Sequence, residues 1–330
     1  MIMFSRVSLA VLLLTFTVIL AGGIVRTTGS GMGCPDWPTC FGQYIPPTDV
    51  RQLPPNYKAI FQVQGKEIAD FDAFKTWVEY INRLLGALLG LVILVMLVYS
   101  LRFRKQDVWL PLLSLAICIV TGFVGWLGSV VVASDLEPAK VTIHMLSSAV
   151  IVALAVSIRH RALKMPMPNH TVGECAEKRD KYMRRLRIVI VVCVILTVTQ
   201  ILLGTQVREQ VDLIDKRLEG RWREQWIDGV GAIFLVHRSM SWIILAANGT
   251  AIWLMLRLHA LRQEREASTY HVYGIAIGMI IFAEIIAGVV MNYCAIPRTA
   301  QPIHLVLAMM LLAIQWKMLL TVNKSAARRV

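Results

Sequence analysis

The chain is predicted to be an all-α membrane protein of eight transmembrane helices, arranged as two tandem four-helix bundles related by an internal repeat. Three observations lead there. The 330 residues are 56% hydrophobic and only 17% charged, with a mean hydropathy of +0.61, well above a soluble domain of this size. Apolar runs of roughly 18 residues or more, the length needed to cross hydrocarbon, occur eight times. The polar residues within those runs recur in register between the first four and the last four.

The runs lie near 7–25, 77–101, 109–132, 141–158, 188–207, 230–256, 272–291 and 303–320. The first is read as a retained span, because Val7 to Val25 is long for a signal-peptide core and Ala21-Gly22-Gly23 is a poor cleavage site. A net charge of +13 follows the membrane topology. Arg159, Arg161, Lys164, Lys178, Arg179, Lys181, Arg184, Arg185 and Arg187 crowd the connection between spans four and five. Arg102 to Lys105, Arg257 to Arg265, and Lys324, Arg328 and Arg329 fall on the same side. The positive-inside rule then places both termini in the cytoplasm, and nucleic acid is excluded as the partner. The connection after span five mixes five cations from Arg208 to Arg223 with six acids, and is placed outside.

The first outer loop, 26–76, is the longest. Its opening run, Thr27-Thr-Gly-Ser-Gly-Met-Gly-Cys-Pro-Asp-Trp-Pro-Thr-Cys40, reads as a chain of turns. Cys34 and Cys40 sit in a disulfide-permissive compartment, and a bridge between them would close a compact turn. Zinc would need two further thiol or imidazole ligands, which this loop lacks, so the disulfide is the favoured reading. The remainder, from Thr48 to Lys75, is expected to pack over the outer face as a lid. Cys294 lies alone in the last outer loop. Cys118 and Cys193 within spans and Cys175 in the cytoplasmic loop read as small buried or reduced thiols.

Aligning Arg83 with Arg238 puts Asn82 over His237. His144 then matches His304, with separations of 62 and 67 residues. Gly128 and Gly288 each precede their histidine by sixteen residues, and Gly22 and Gly204 each precede an arginine, Arg26 or Arg208, by four. The repeat divides the chain into a first unit at 1–160, a basic linker at 161–187 and a second unit at 188–330.

Asn82, His144, His237 and His304 all fall within about two turns of the outer surface, at about 1.5 Å of rise per residue. Polar residues at such positions are costly and mark function. Imidazoles on neighbouring apolar helices suit haem. His237 and His304 offer a closed bis-histidine site for electron transfer, with Arg238 beside it as a propionate partner. The first unit offers His144 opposite Asn82, with Arg83 in the equivalent place and an acid, Glu79, where the second unit has Phe234. An open coordination position beside a carboxylate suits oxidation and proton handling. A surface acid favoured by the helix dipole is the other reading of Glu79. His160, His170, His259 and His271 read as interfacial residues.

The run from Leu20 to Pro47, the Glu79 to Gly86 segment and the His237-Arg238 pair resemble the haem A synthase family. That resemblance implies oxidation of the C8 methyl of haem O to the formyl group of haem A, for terminal oxidases. It implies haem b held by His237 and His304, the substrate haem at His144, Glu79 as the essential acid, and a Cys34–Cys40 disulfide. It implies a bacterial inner membrane, haem sites toward the outer face, and a haem O synthase as supplier. An electron donor or acceptor is a further implied partner, and a homo-oligomer is an open option. Two departures stand out: the family's usual first-half histidine is Asn82, and the second cysteine pair of some members' later outer loop is missing. A transmembrane b-type cytochrome carrier is the alternative, though it needs haems toward both faces. A repeat-built transporter is third, with Glu284 the one acid that would support it; an interhelical hydrogen bond is the simpler role for that residue.

Overall fold

The computed structural model describes residues 1–163, 174–260 and 267–326. Lys164, His170, Arg265, Arg328 and Arg329 of the predicted basic face, and the side chains of Cys175, Lys178 and Lys324, lie outside that description. Eight long helices carry the chain: α1 (Ile2–Thr27), α2 (Ala73–Ser100), α3 (Trp109–Ala133), α4 (Pro138–Ala162), α5 (Glu174–Leu218), α6 (Ala232–Ala260), α7 (Ala267–Tyr293) and α8 (Ala300–Ala326). Each is long and apolar enough to cross a membrane, and no strand occurs among the described residues. Helix is the expected outcome, because a lipid-exposed segment must satisfy its backbone groups internally.

The helix starts are written in local sequence. Asp72 caps α2, its Oδ1 accepting from Lys75 N at 3.2 Å, and Asp107 Oδ1 accepts from Trp109 N at 3.0 Å as α3 begins. Pro138 opens α4, where a missing N–H costs nothing. Before it, Asp135 and Leu136 turn the chain through left-handed φ values of 53° and 60°.

The chain divides into two compact units, Met1–Ala162 with Pro297–Val306, and Leu163–Ile296 with Leu307–Val330. In the first, α1 packs on α2 and α4, and α3 packs on both α2 and α4. Phe4 and Val11, Leu89, Ile93 and Met96, Leu110 and Ile117, and Ile151 and Ile158 fill its core. In the second, α6 packs on α5 and α7, around Leu186, Ile190, Leu254, Met255, Ile277, Leu311 and Met318. Large apolar side chains such as Leu91, Val98, Ile119 and Phe282 stay exposed, as bilayer-facing positions must.

The fifth span extends well past its predicted end at 207. α5 is 45 residues long, about 67 Å at the usual rise, against a hydrocarbon core of about 30 Å. Val207, Val211, Ile214 and Leu218 form a stripe that packs with Trp226, Val230 and Ile296. An ion pair one turn apart, Arg208 to Asp212 at 2.7 Å, braces the polar side. Helix also begins at Glu174, inside the stretch read as a linker.

Candidate functional site

The loop 26–76 is built around a bridge. Cys34 and Cys40 form a disulfide with Cα atoms 4.8 Å apart, and both are fully buried. Phe41, Leu53 and Tyr57 pack on it, with Phe61, Ile68 and Phe71 around them, so the loop carries a small core of its own. Inside the bridged turn, Asp36 Oδ1 accepts from Phe41 N at 2.6 Å. Its Oδ2 accepts from Gly42 N at 2.9 Å and from the Thr39 hydroxyl. Two short helices, Val50–Gln52 and Tyr57–Ile60, lie in the part read as a lid.

This turn is docked on the first three turns of α2. Thr76, Glu79 and Arg83 are spaced three and four apart and so share one helix face. Thr76 Oγ1 donates to Gly33 O at 2.8 Å. Glu79, 4% exposed, accepts from Cys34 N on Oε2 at 2.9 Å. Its Oε1 accepts from Arg83 Nη2 at 2.6 Å and from Nε at 3.1 Å. The guanidinium then reaches Cys34 O at 2.9 Å, Asp36 O at 2.7 Å and Thr39 O at 3.0 Å. Gly33 is the point of closest approach: a methyl there would lie 2.5 Å from Lys75 O.

Asn82 turns elsewhere. A methyl added at Gly22 of α1 would lie 3.9 Å from its Oδ1. That oxygen and His144 Nδ1 are buried atoms with no hydrogen-bond partner among the described residues. His144 lies against Gly128 of α3, where a methyl would stand 3.5 Å from Cε1. In the second unit His237 lies against Gly204 of α5, where a methyl would stand 3.3 Å from Cε1. Gln200 Nε2 donates to His237 O at 3.0 Å and fixes that turn. His304 belongs to the Pro297–Val306 segment grouped with the first unit. Within it Pro302 packs on α1, 2.8 Å from where a Gly23 methyl would stand.

The two aligned arginines therefore differ. Arg83 is committed to the loop, whereas Arg238 is exposed and has no hydrogen-bond or ion-pair partner among the described residues. Two features went unread in the sequence. Asp36 organises the bridged turn, yet a turn acid looks like any solvated acid. Asn248 and Gln315, 0% and 1% exposed, are joined by Gln315 Nε2 donating to Asn248 Oδ1 at 3.0 Å. Their signal was present: each follows a candidate histidine, His237 or His304, by eleven residues.

An imidazole lies against a glycine in each unit, His144 on Gly128 and His237 on Gly204, and the loop 26–76 carries a distinctive cysteine motif. Comparison with known proteins agrees with that pattern. Over 325 residues, 91% of this chain and 86% of the relative, the chain is 26% identical to a protein of Methylobacterium sp. (strain 4-46) named "Heme A synthase". Proteins of the same name from Shewanella oneidensis and Nitrosomonas eutropha are 32% and 36% identical, over 43% and 37% of this chain. Those two alignments span 41% and 36% of the relatives' own length. Residues 5–316 match the family COX15-CtaA, described as "Cytochrome oxidase assembly protein". The chain belongs to the COX15-CtaA family of cytochrome oxidase assembly proteins.

Proposed function

We propose that this protein is a haem A synthase, an oxidoreductase that converts the C8 methyl of haem O to the formyl group of haem A. The observation that carries the reading is an imidazole seated against a glycine in each unit, His144 on Gly128 and His237 on Gly204, in a chain of this family. Haem O is the substrate at His144, and haem b the resident group at His237 and His304. The residues of the first site fit a ligand: among the described residues Asn82 Oδ1 and His144 Nδ1 are buried with no partner, a costly state that a bound group relieves. Apolar helices bearing small residues are the usual kind of wall for a planar macrocycle.

Haem b, when bound, supplies one-electron transfer. His237 and His304 are the residues that would hold its iron, and the Arg238 guanidinium would meet a propionate. In the first unit His144 would hold the substrate iron, Asn82 would contribute a polar group to the same site, and the bridged loop would exclude water. Glu79 is required for turnover. The reading puts the protein in a bacterial inner membrane, with both termini cytoplasmic and the haem sites outward. Haem O reaches it from a haem O synthase, and an electron partner serves haem b.

The tandem repeat belongs to the same proposal. Gly22 facing Asn82 and Gly204 facing His237 are equivalent pairs on the first two helices of each unit. Co-expression with a haem O source, followed by chromatography of extracted haems, tests the function. Haem A beside haem b is expected; haem b alone, with haem O unconverted, would favour an electron carrier.

A further inference from the structure

We propose that Glu79 and Arg83 are positioning residues: together they latch the disulfide turn 33–40 onto α2, and Glu79 serves the reaction by holding that turn in place. Its role in the reaction rests on the haem A synthase reading above; the latch itself does not. Both carboxylate oxygens of Glu79 are occupied, Oε2 by Cys34 N at 2.9 Å and Oε1 by Arg83 at 2.6 Å. Arg83 spends Nε, Nη1 and Nη2 on Glu79 and on three loop carbonyls, those of Cys34, Asp36 and Thr39. A rigid guanidinium fork is the side chain suited to such a multiple contact. An acid poised to exchange protons with a substrate would keep an oxygen facing it; this one is 4% exposed and sealed beneath the turn.

The comparison of the two units points the same way. The aligned arginine of the second unit, Arg238, has no bridged loop above it, and Phe234 stands where Glu79 would be. The acid occurs where the loop occurs. Its carboxylate supplies the charge that holds Arg83 against carbonyls it could not otherwise gather in a buried place, since an uncompensated buried cation is costly. Thr76, one turn before, adds a third tie through Gly33 O at 2.8 Å. The Cys34–Cys40 bridge then stiffens the held segment from within.

The test is made on the full-length protein in membranes or detergent. The rate at which a small thiol reductant opens Cys34–Cys40 is followed by maleimide trapping and mass spectrometry, and haem A formed per protein is measured in parallel. Glu79→Gln and Arg83→Gln are each expected to speed reduction about tenfold or more, the scale of a lost charged hydrogen bond. The double variant should be little faster than the faster single, because the pair acts as one unit. Arg83→Lys should fall between Arg83→Gln and the parent. Thr76→Val, which leaves the ion pair intact and is the mildest change, should speed reduction less and lower haem A formation in proportion. A Glu79→Gln protein that loses haem A formation while its bridge stays as protected as in the parent would overturn the proposal and assign the acid to proton transfer. If the parent forms no haem A, the functional reading fails, and the reduction rates still decide whether the latch exists.

Discussion

Gly204 and Gly128 earn their places by what stands opposite. A methyl at Gly204 would approach His237 Cε1 to 3.3 Å, tight enough that the ring or the helix must give. Gly204→Val is therefore expected to lower haem b occupancy while the protein still folds, read as the haemochrome content of purified protein. Gly33 is stricter, because the atoms it would strike, Lys75 O at 2.5 Å and Thr76 N at 2.8 Å, are backbone. Overpacking of this kind costs about 1–3 kcal/mol, so Gly33→Ala should lower the midpoint of thermal unfolding and loosen the bridged turn. The Asn248–Gln315 pair yields an asymmetric prediction. Gln315→Leu leaves Asn248 Oδ1 without its donor and should cost about 1–3 kcal/mol, whereas replacing both amides with leucine should cost much less. A denaturant titration in detergent micelles of the single and double variants checks this; equal losses would contradict it. At this scale residue identity was easier to read than residue role. Cys34 and Cys40 were legible because two cysteines in a glycine- and proline-rich outer loop had no other ligand nearby. Glu79 was legible as an acid without a counterpart. Its partner was not, since the carbonyls that Arg83 gathers lie 44 to 49 residues away in sequence.

Among the helices, apolar length announced itself and boundaries did not. All eight spans were legible, because a lipid-crossing segment needs an uninterrupted apolar run and 330 residues supplied eight. The end of α5 was missed for a physical reason: once the chain leaves the bilayer, helix continues on a narrow stripe amid charges. Val207, Val211, Ile214 and Leu218 recur at helical spacing, but Arg208, Glu209 and Asp212 between them read as a loop. The buried Trp226 closes that stripe, and its Nε1 donates to Arg221 O at 2.9 Å. Trp226→Ala should cost about 3–5 kcal/mol locally. It is expected to open the 219–231 connection to limited proteolysis before the helices of the second unit unfold. Cleavage at the parent rate would show that the outer cluster does not hold this connection. The sequence reads the opening of the loop 26–76 as turns and Thr48 to Lys75 as a lid. The loop's aromatic core around the disulfide depends on Phe41, Tyr57, Phe61 and Phe71 converging across thirty residues, a tertiary outcome with no local period.

Across the molecule, the two units differ in what surrounds their candidate residues. The first has a bridged loop, an acid–arginine latch and one imidazole facing a glycine. The second has a helical extension capped by Trp226, an exposed arginine and His237 held through Gln200. On the proposed reading, the first unit oxidises haem O and the second keeps haem b. The most direct test pairs His144→Ala with His237→Ala in a host that supplies haem O, with reduced-minus-oxidised spectra and chromatography of the extracted haems. The account predicts that the His237 variant loses the low-spin haem b signal, while the His144 variant keeps it and forms no haem A. A His144 variant without that signal, beside a His237 variant that retains it, would contradict the assignment of the two units.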